Sequence, residues 1–69
     1  MNDTYTYHWA VVEWTDSDRQ QRIHVTRTTK GRDAAVGAGW TWAHRNLAPA
    51  TLNQTNVRYL GRSETYTKY

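Results

Sequence analysis

Residues Arg32–Leu47 read RDAAVGAGWTWAHRNL, and the rest of the chain is organised around them. Val36, Trp40, Ala43 and Leu47 recur at i, i+4, i+7 and i+11, close to one line down a helix of 3.6 residues per turn. Asp33 falls in the first turn, where a carboxylate meets the positive end of the helix dipole. His44 and Arg45 fall in the last turn, where cations are favoured. Pro49 lacks the backbone N–H needed to continue the run. Against a helix stand Gly37 and Gly39, each costing about 1 kcal/mol relative to alanine. Gly39-Trp40-Thr41-Trp42 also alternates as a strand would. The apolar stripe favours the helix, because strands alone leave no second layer for a core. Gly39 then lies beside the stripe and permits a close approach of helix to sheet.

Working outward, Tyr5–Thr15 (YTYHWAVVEWT) is rich in aromatic and β-branched residues and reads as a strand. Asp16-Ser17-Asp18 supplies turn chemistry. Gln20–Thr29 reads as a second strand, with Ile23 and Val25 alternating against Arg22, His24 and Thr26. A tight turn centred on Ser17-Asp18 sets Val12 opposite Ile23, Ala10 opposite Val25 and Glu13 opposite Arg22, a favourable cross-strand charge pair. Ala10, Val12, Ile23 and Val25 then join Trp40 in the core.

Gly31 is the expected N-cap. Ala48–Asn53 reads as a loop that tucks Leu52 onto the core. Asn56–Arg62, or longer, is a third strand whose facing is open: Val57 and Tyr59 meet the helix, or Arg58, Leu60 and Arg62 do. Residues 1–4 are expected to be loose. The whole is one small α+β domain over residues 1–69, a ββαβ chain forming a three-stranded, mostly antiparallel sheet with one helix on one face.

Composition narrows the function. With 69 residues the chain buries only about 60% of its unfolded surface, and four Trp and five Tyr with no Phe supply the aromatic mass of its core. There is no cysteine, so disulfides and thiolate metal sites are excluded. No apolar run approaches the roughly 18 residues of a membrane span, and no signal-peptide pattern is seen. A soluble, cytoplasmic protein is expected, without contact to a membrane. The formal charge of +3 and pI near 9.6 come from cations spread along the chain, which is compatible with nucleic acid without demanding it.

Catalysis is not expected. The carboxylates lie in turns, at the helix start or in a cross-strand pair. Ser17 and Ser63 occupy no nucleophile elbow. His8, His24 and His44 lack metal-ligand spacing, and the expected register puts His8 and His24 on opposite faces. No cofactor, metal or small-molecule substrate is expected.

The helix covers only one face of the sheet. The expected register leaves Tyr5, Tyr7, Trp9, Val11, His24, Thr26 and Thr28 on the other, and a contiguous exposed apolar patch marks an interaction site. Three alternatives stay open for that face: a protein partner docks on it, a second copy of the chain buries it, or Leu47–Thr55 or the tail with Tyr66 and Tyr69 folds over it. Tyr5, Tyr7, Trp9 and His24 are therefore the candidate partner-binding residues. Trp42, off the helical stripe, either finishes the core margin or stands out as a further anchor. Nucleic acid is the competing partner: Tyr7 and Trp9 would stack bases, while Arg22, Arg27, Arg58 or Arg62 take the phosphates. The chain carries none of the sequence marks of an RRM, KH, zinc-finger or helix-turn-helix module.

Three segments carry a resemblance: VVEWTDSD in the first strand, RIHVTRTT in the second and GRDAA at the helix start. At pattern level, residues 5–47 resemble small ββαβ accessory proteins of actinobacterial phages. The Gly37/Gly39 pair and the tryptophan load depart from that pattern. The resemblance implies a protein made inside a bacterial host and acting noncatalytically, as a phage-encoded modulator that binds a host or phage component.

Overall fold

The computed structural model describes the backbone of residues 2–68 and the side chains of residues 5–63. Strand β1 (Asn2–Thr15) is followed by β2 (Gln21–Thr28), helix α1 (Arg32–Asn46), a single helical turn α2 (Pro49–Leu52) and strand β3 (Asn56–Lys68). The sheet is antiparallel in the order β2-β1-β3, with α1 packed on one side. This is the expected α+β, ββαβ arrangement. The most apolar strand takes the centre: Ala10, Val11 and Val12 of β1 are all buried.

The central strand is longer than the expected Tyr5–Thr15, and β3 takes the longer of its expected extents. Residues 2–4, expected to be loose, pair with the end of β3 (Asn2 with Lys68, Asp3 with Thr67, Thr4 with Tyr66). β2 pairs with β1 only as far as His8. Beyond that point β1 and β3 continue as a two-stranded ribbon, and the molecule is 48 Å long but only 20 Å and 18 Å across. β3 contains a bulge: its pairing with β1 jumps from Tyr59 opposite Ala10 to Gly61 opposite Trp9, leaving Leu60 as the extra residue. Gly61 has φ +123°, a backbone conformation that L side chains rarely adopt.

The hairpin turn overturns the expected register. The loop has three residues, not two: Arg19 N–H donates to the Asp16 carbonyl (3.0 Å), and Asp16 N–H donates to the Gln20 carbonyl (2.9 Å). Arg19 takes the left-handed conformation at φ 63°, which makes this a type I turn followed by a bulge residue. The Asp16 side chain fastens it, accepting the Asp18 and Gln20 amides through Oδ1 at 2.9 Å each and Arg22 Nε through Oδ2 at 2.8 Å. The extra loop residue shifts the pairing by one, setting Val12 opposite His24, Val11 opposite Val25 and Glu13 opposite Ile23. Because side chains alternate along a strand, this slip turns every residue of β2 to the opposite face. Ile23 and Val25 are therefore outside the core, and His24, Thr26 and Thr28 lie on the helix side. Glu13 forms its ion pair with Arg58 of β3 at 3.0 Å, and Arg22 forms its own with Asp16.

The helix also meets the sheet along a different line. Ala35, Gly39 and Ala43 are its buried residues, whereas Val36, Trp40 and Leu47 are half-buried at one margin. Trp40 sits about 100° round the helix from Gly39, since successive residues are about 100° apart. The three smallest side chains on that face let the backbone sink onto Val12 and Val57, and the large rings flank the contact. Thr26 donates its hydroxyl to the Ala35 carbonyl at 3.3 Å. Gly31 is the N-cap, with φ 113° and no side-chain cap bond. Pro49, expected only to end a helix, opens α2 at its first turn, where a missing N–H costs nothing. Leu52 in this turn is half-buried, and α2 touches α1 and β1.

Candidate functional site

Facing of β3 is settled by Tyr59. Its hydroxyl lies 2.9 Å from Nδ1 of His8, and the Arg32 guanidinium at the start of α1 lies 5.2 Å from its ring. Val57 and Tyr59 are thus on the helix side, and Arg58 and Leu60 on the other. After the bulge the parity changes, and Arg62 pairs with His8, on the helix side.

The uncovered face can now be assembled in rows across the sheet. Ile23 lies opposite Glu13. Val25, Val11 and Arg58 share the next row, Arg27, Trp9 and Gly61 the row after, and Tyr7 pairs with Ser63. Val11, in the centre, is only 4% exposed, whereas Ile23 is 66%, Val25 44% and Leu60 47% exposed. These three are the large apolar side chains that stand exposed among the described residues. No described element lies over them: Tyr66 stays in the β1–β3 ladder, and α2 sits at the hairpin end, where residues of its turn face Thr15, Asp16 and Ser17 across a shallow cleft. Tyr69 lies outside the described residues.

Trp9 and Tyr7 occupy the ribbon end of this face. Their ring centroids are 6.2 Å apart, and the Arg27 guanidinium lies 4.8 Å from the Tyr7 ring and 5.7 Å from that of Trp9. Trp9 Nε1 donates to Ser63 Oγ at 2.7 Å. Gly61, with no side chain opposite Trp9, leaves space beside the indole. The cluster unites Trp, Tyr and Arg, the three residue types most enriched at binding hot spots. Its rings are held by a hydrogen bond and a cation–π contact, so little side-chain freedom remains to be lost on binding. Tyr5 lies on the same face, two residues further along the ribbon, opposite Thr65.

His24 and Trp42 do not belong to this face. Both lie on the helix side, where the Trp42 ring stacks on the His24 ring with centroids 3.8 Å apart and planes 7° from parallel. Trp14 completes this cluster at 5.4 Å from Trp42. Trp42 thus closes the margin of the core, and its carbonyl accepts Asn46 Nδ2 at 2.8 Å. The four cations expected to take phosphates are dispersed. Arg22 is paired with Asp16 and Arg58 with Glu13, Arg27 covers the rings of Tyr7 and Trp9, and Arg62 is on the opposite face.

His8 and His24, expected on opposite faces, share the helix side. Val12, the partner of His24, is four residues from His8, or about 13 Å along the strand, too far for one metal ion. Among the described residues no three His, Asp or Glu side chains cluster as a metal site. None of their helices is long and apolar enough to cross a membrane. Among the carboxylates, Asp16 is held below its usual pKa by the Arg22 guanidinium and by the Gln20 and Asp18 amides.

No protein-family model, curated protein or solved structure matches this chain.

The register slip hid Ile23 and Val25, two of the three exposed large apolar side chains, from sequence reasoning. The sign of it in the sequence is weak. Asp16 is able to cap loops of either length, and Arg19 carries none of the preference for left-handed backbone that glycine or asparagine would have announced.

Proposed function

We propose that this chain is a small noncatalytic protein-binding module that presents the open sheet face to a protein partner. One observation carries the reading: Ile23, Val25 and Leu60 stand exposed beside the fastened Tyr7–Trp9–Arg27 cluster, with nothing described above them. An apolar centre with an aromatic and arginine anchor, rimmed by the Glu13–Arg58 ion pair, has the anatomy of a protein interface. A nucleic-acid site would need its rings free for bases and its cations free for phosphates. Here Arg27 already occupies the rings, and Arg22 and Arg58 already hold carboxylates.

The test combines self-association with capture. Sedimentation equilibrium of the purified protein at low and high salt reads the first. Retention of a partner from a lysate by immobilised protein, with and without nuclease, reads the second. A partner retained at both salt concentrations, and lost with Trp9→Ala or Ile23→Lys while circular dichroism stays native, supports the proposal. A salt-insensitive dimer broken by Ile23→Lys would assign the face to a second copy. Retention that is nuclease-sensitive and falls steeply with salt would assign it to nucleic acid.

A further inference from the structure

A second surface stands apart from the open face. β2 is an outer strand of the sheet, and its free edge borders a cleft of about 500 Å³ whose other wall is α1. The strand contributes His24–Arg27, and the helix contributes Ala38, Thr41, Trp42, Arg45 and Asn46. Those helical positions follow i, i+3, i+4, i+7 and i+8, one face of the helix. Residues 38–45 rise about 10 Å along the helix axis, and residues 24–27 span about 10 Å of strand. The two walls are therefore matched in length and leave room for an extended segment of about four residues between them. The parallel rings of Trp42 and His24 close the floor.

In an antiparallel pair every second residue turns its N–H and C=O away from its partner, so the outer edge of β2 presents a row of backbone donors and acceptors. Natural edges are blunted by proline, by bulges or by inward-pointing charge. Within Gln21–Thr28 there is no proline, its pairing with β1 runs without a shift, and its two charges are held away from the edge, Arg22 by Asp16 and Arg27 over the rings of Tyr7 and Trp9. Charge selects the occupant. Arg45 stands on the helix wall, and no carboxylate lines the cleft. Asp16 and Glu13 are engaged elsewhere, with Arg22 and Arg58. A second copy of β2, whose sequence is QRIHVTRT, brings no carboxylate to set against Arg45.

We propose that the β2 edge and this cleft accept an acidic peptide segment as a fourth strand. Its backbone pairs with β2. Alternate side chains enter the cleft over Trp42, and a carboxylate among them meets Arg45. Affinity arises from main-chain hydrogen bonds and specificity from the alternate side chains.

The test uses two pools of capped peptides of the length of β2, with alternate positions randomised among apolar residues. The remaining positions are all glutamate in one pool and all lysine in the other. Each is titrated into nitrogen-15-labelled protein. The glutamate pool should shift the backbone amides of β2 and the Trp42 indole N–H, and bind about tenfold more tightly than the lysine pool. Arg45→Glu, at an exposed position, should cancel or reverse that preference. Thr41→Trp, also exposed, should fill the cleft and abolish the shifts while the rest of the spectrum stays native. Equal response to both pools, shifts confined to Tyr7, Trp9 and Ile23, binding undiminished by Thr41→Trp, or no response to either pool would overturn the proposal.

Discussion

Two glycines in one helix should respond unequally to the same substitution. A Cβ added at Gly39 would lie 2.7 Å from Val57 Cγ1 and 3.3 Å from Val12 Cγ2, with Thr26 Oγ1 at 3.6 Å. Contacts below 3.0 Å are essentially absent from real structures, so Val57 must turn or the helix must lift. Val57 is β-branched and has little rotamer freedom, which leaves lifting the helix as the main response. Overpacking of this kind costs about 1–3 kcal/mol, against about 1 kcal/mol gained by replacing glycine with alanine in a helix. Gly37 is exposed, and a Cβ there meets nothing within 4 Å, so Gly37→Ala collects the same helical gain without the clash. The propensity gain cancels between the two variants, and Gly39→Ala should be the less stable by about 1–3 kcal/mol. At about 4–8 °C per kcal/mol for a domain of this size, its Tm should fall at least about 4 °C below that of Gly37→Ala. Thermal and urea denaturation followed by circular dichroism measure the difference. A Gly39→Ala protein as stable as Gly37→Ala would show that α1 does not rest on Val12 and Val57 through its glycine.

Further outcomes follow from the turn and the aromatic floor. Arg19→Gly should raise the unfolding free energy read from urea denaturation by up to about 1 kcal/mol, since left-handed backbone costs an L-residue about 1–2 kcal/mol and glycine returns about half of that as chain entropy. Asp16 has its pKa lowered from 3.8 by its bonds to Arg22, Gln20 and Asp18. Its contribution is therefore complete above the unfolded value and is lost as pH falls through the lower folded value. Urea midpoints of the wild-type protein should fall on acidification below about pH 4, with a shallower fall in Asp16→Asn. Trp42→Ala removes the stack on His24 and the contact with Trp14. Because Trp42 is half-buried, its cost in urea unfolding should lie near the low end of the roughly 3–5 kcal/mol seen for core aromatics. A Trp42→Ala domain of unchanged stability would separate the stack from the core.

Local chemistry alone determined the three strands and α1, though not the turn α2 or the pairing of residues 2–4. β-branched and aromatic runs made strands, Asp33 and His44-Arg45 marked the two ends of α1, Gly31 capped it, and the layering that these imply is the one observed. Sequence also placed Tyr5, Tyr7 and Trp9 on the open face, because the facing of the central strand follows from Ala10 and Val12. Only the tertiary structure decided which residues of β2 join them. That choice hangs on one residue of loop length, set by the backbone of Arg19 and the bonds of Asp16, and a single step exchanges Ile23 and Val25 for His24 and Thr26. The helix face was missed for a related reason. Hydropathy gives weight to Val36 and Trp40, whereas the contact is made by Ala35, Gly39 and Ala43, whose small size lets the backbone approach. Propensity and periodicity act within a segment, but register and close packing depend on how two segments meet, and residues far apart in the chain set those terms.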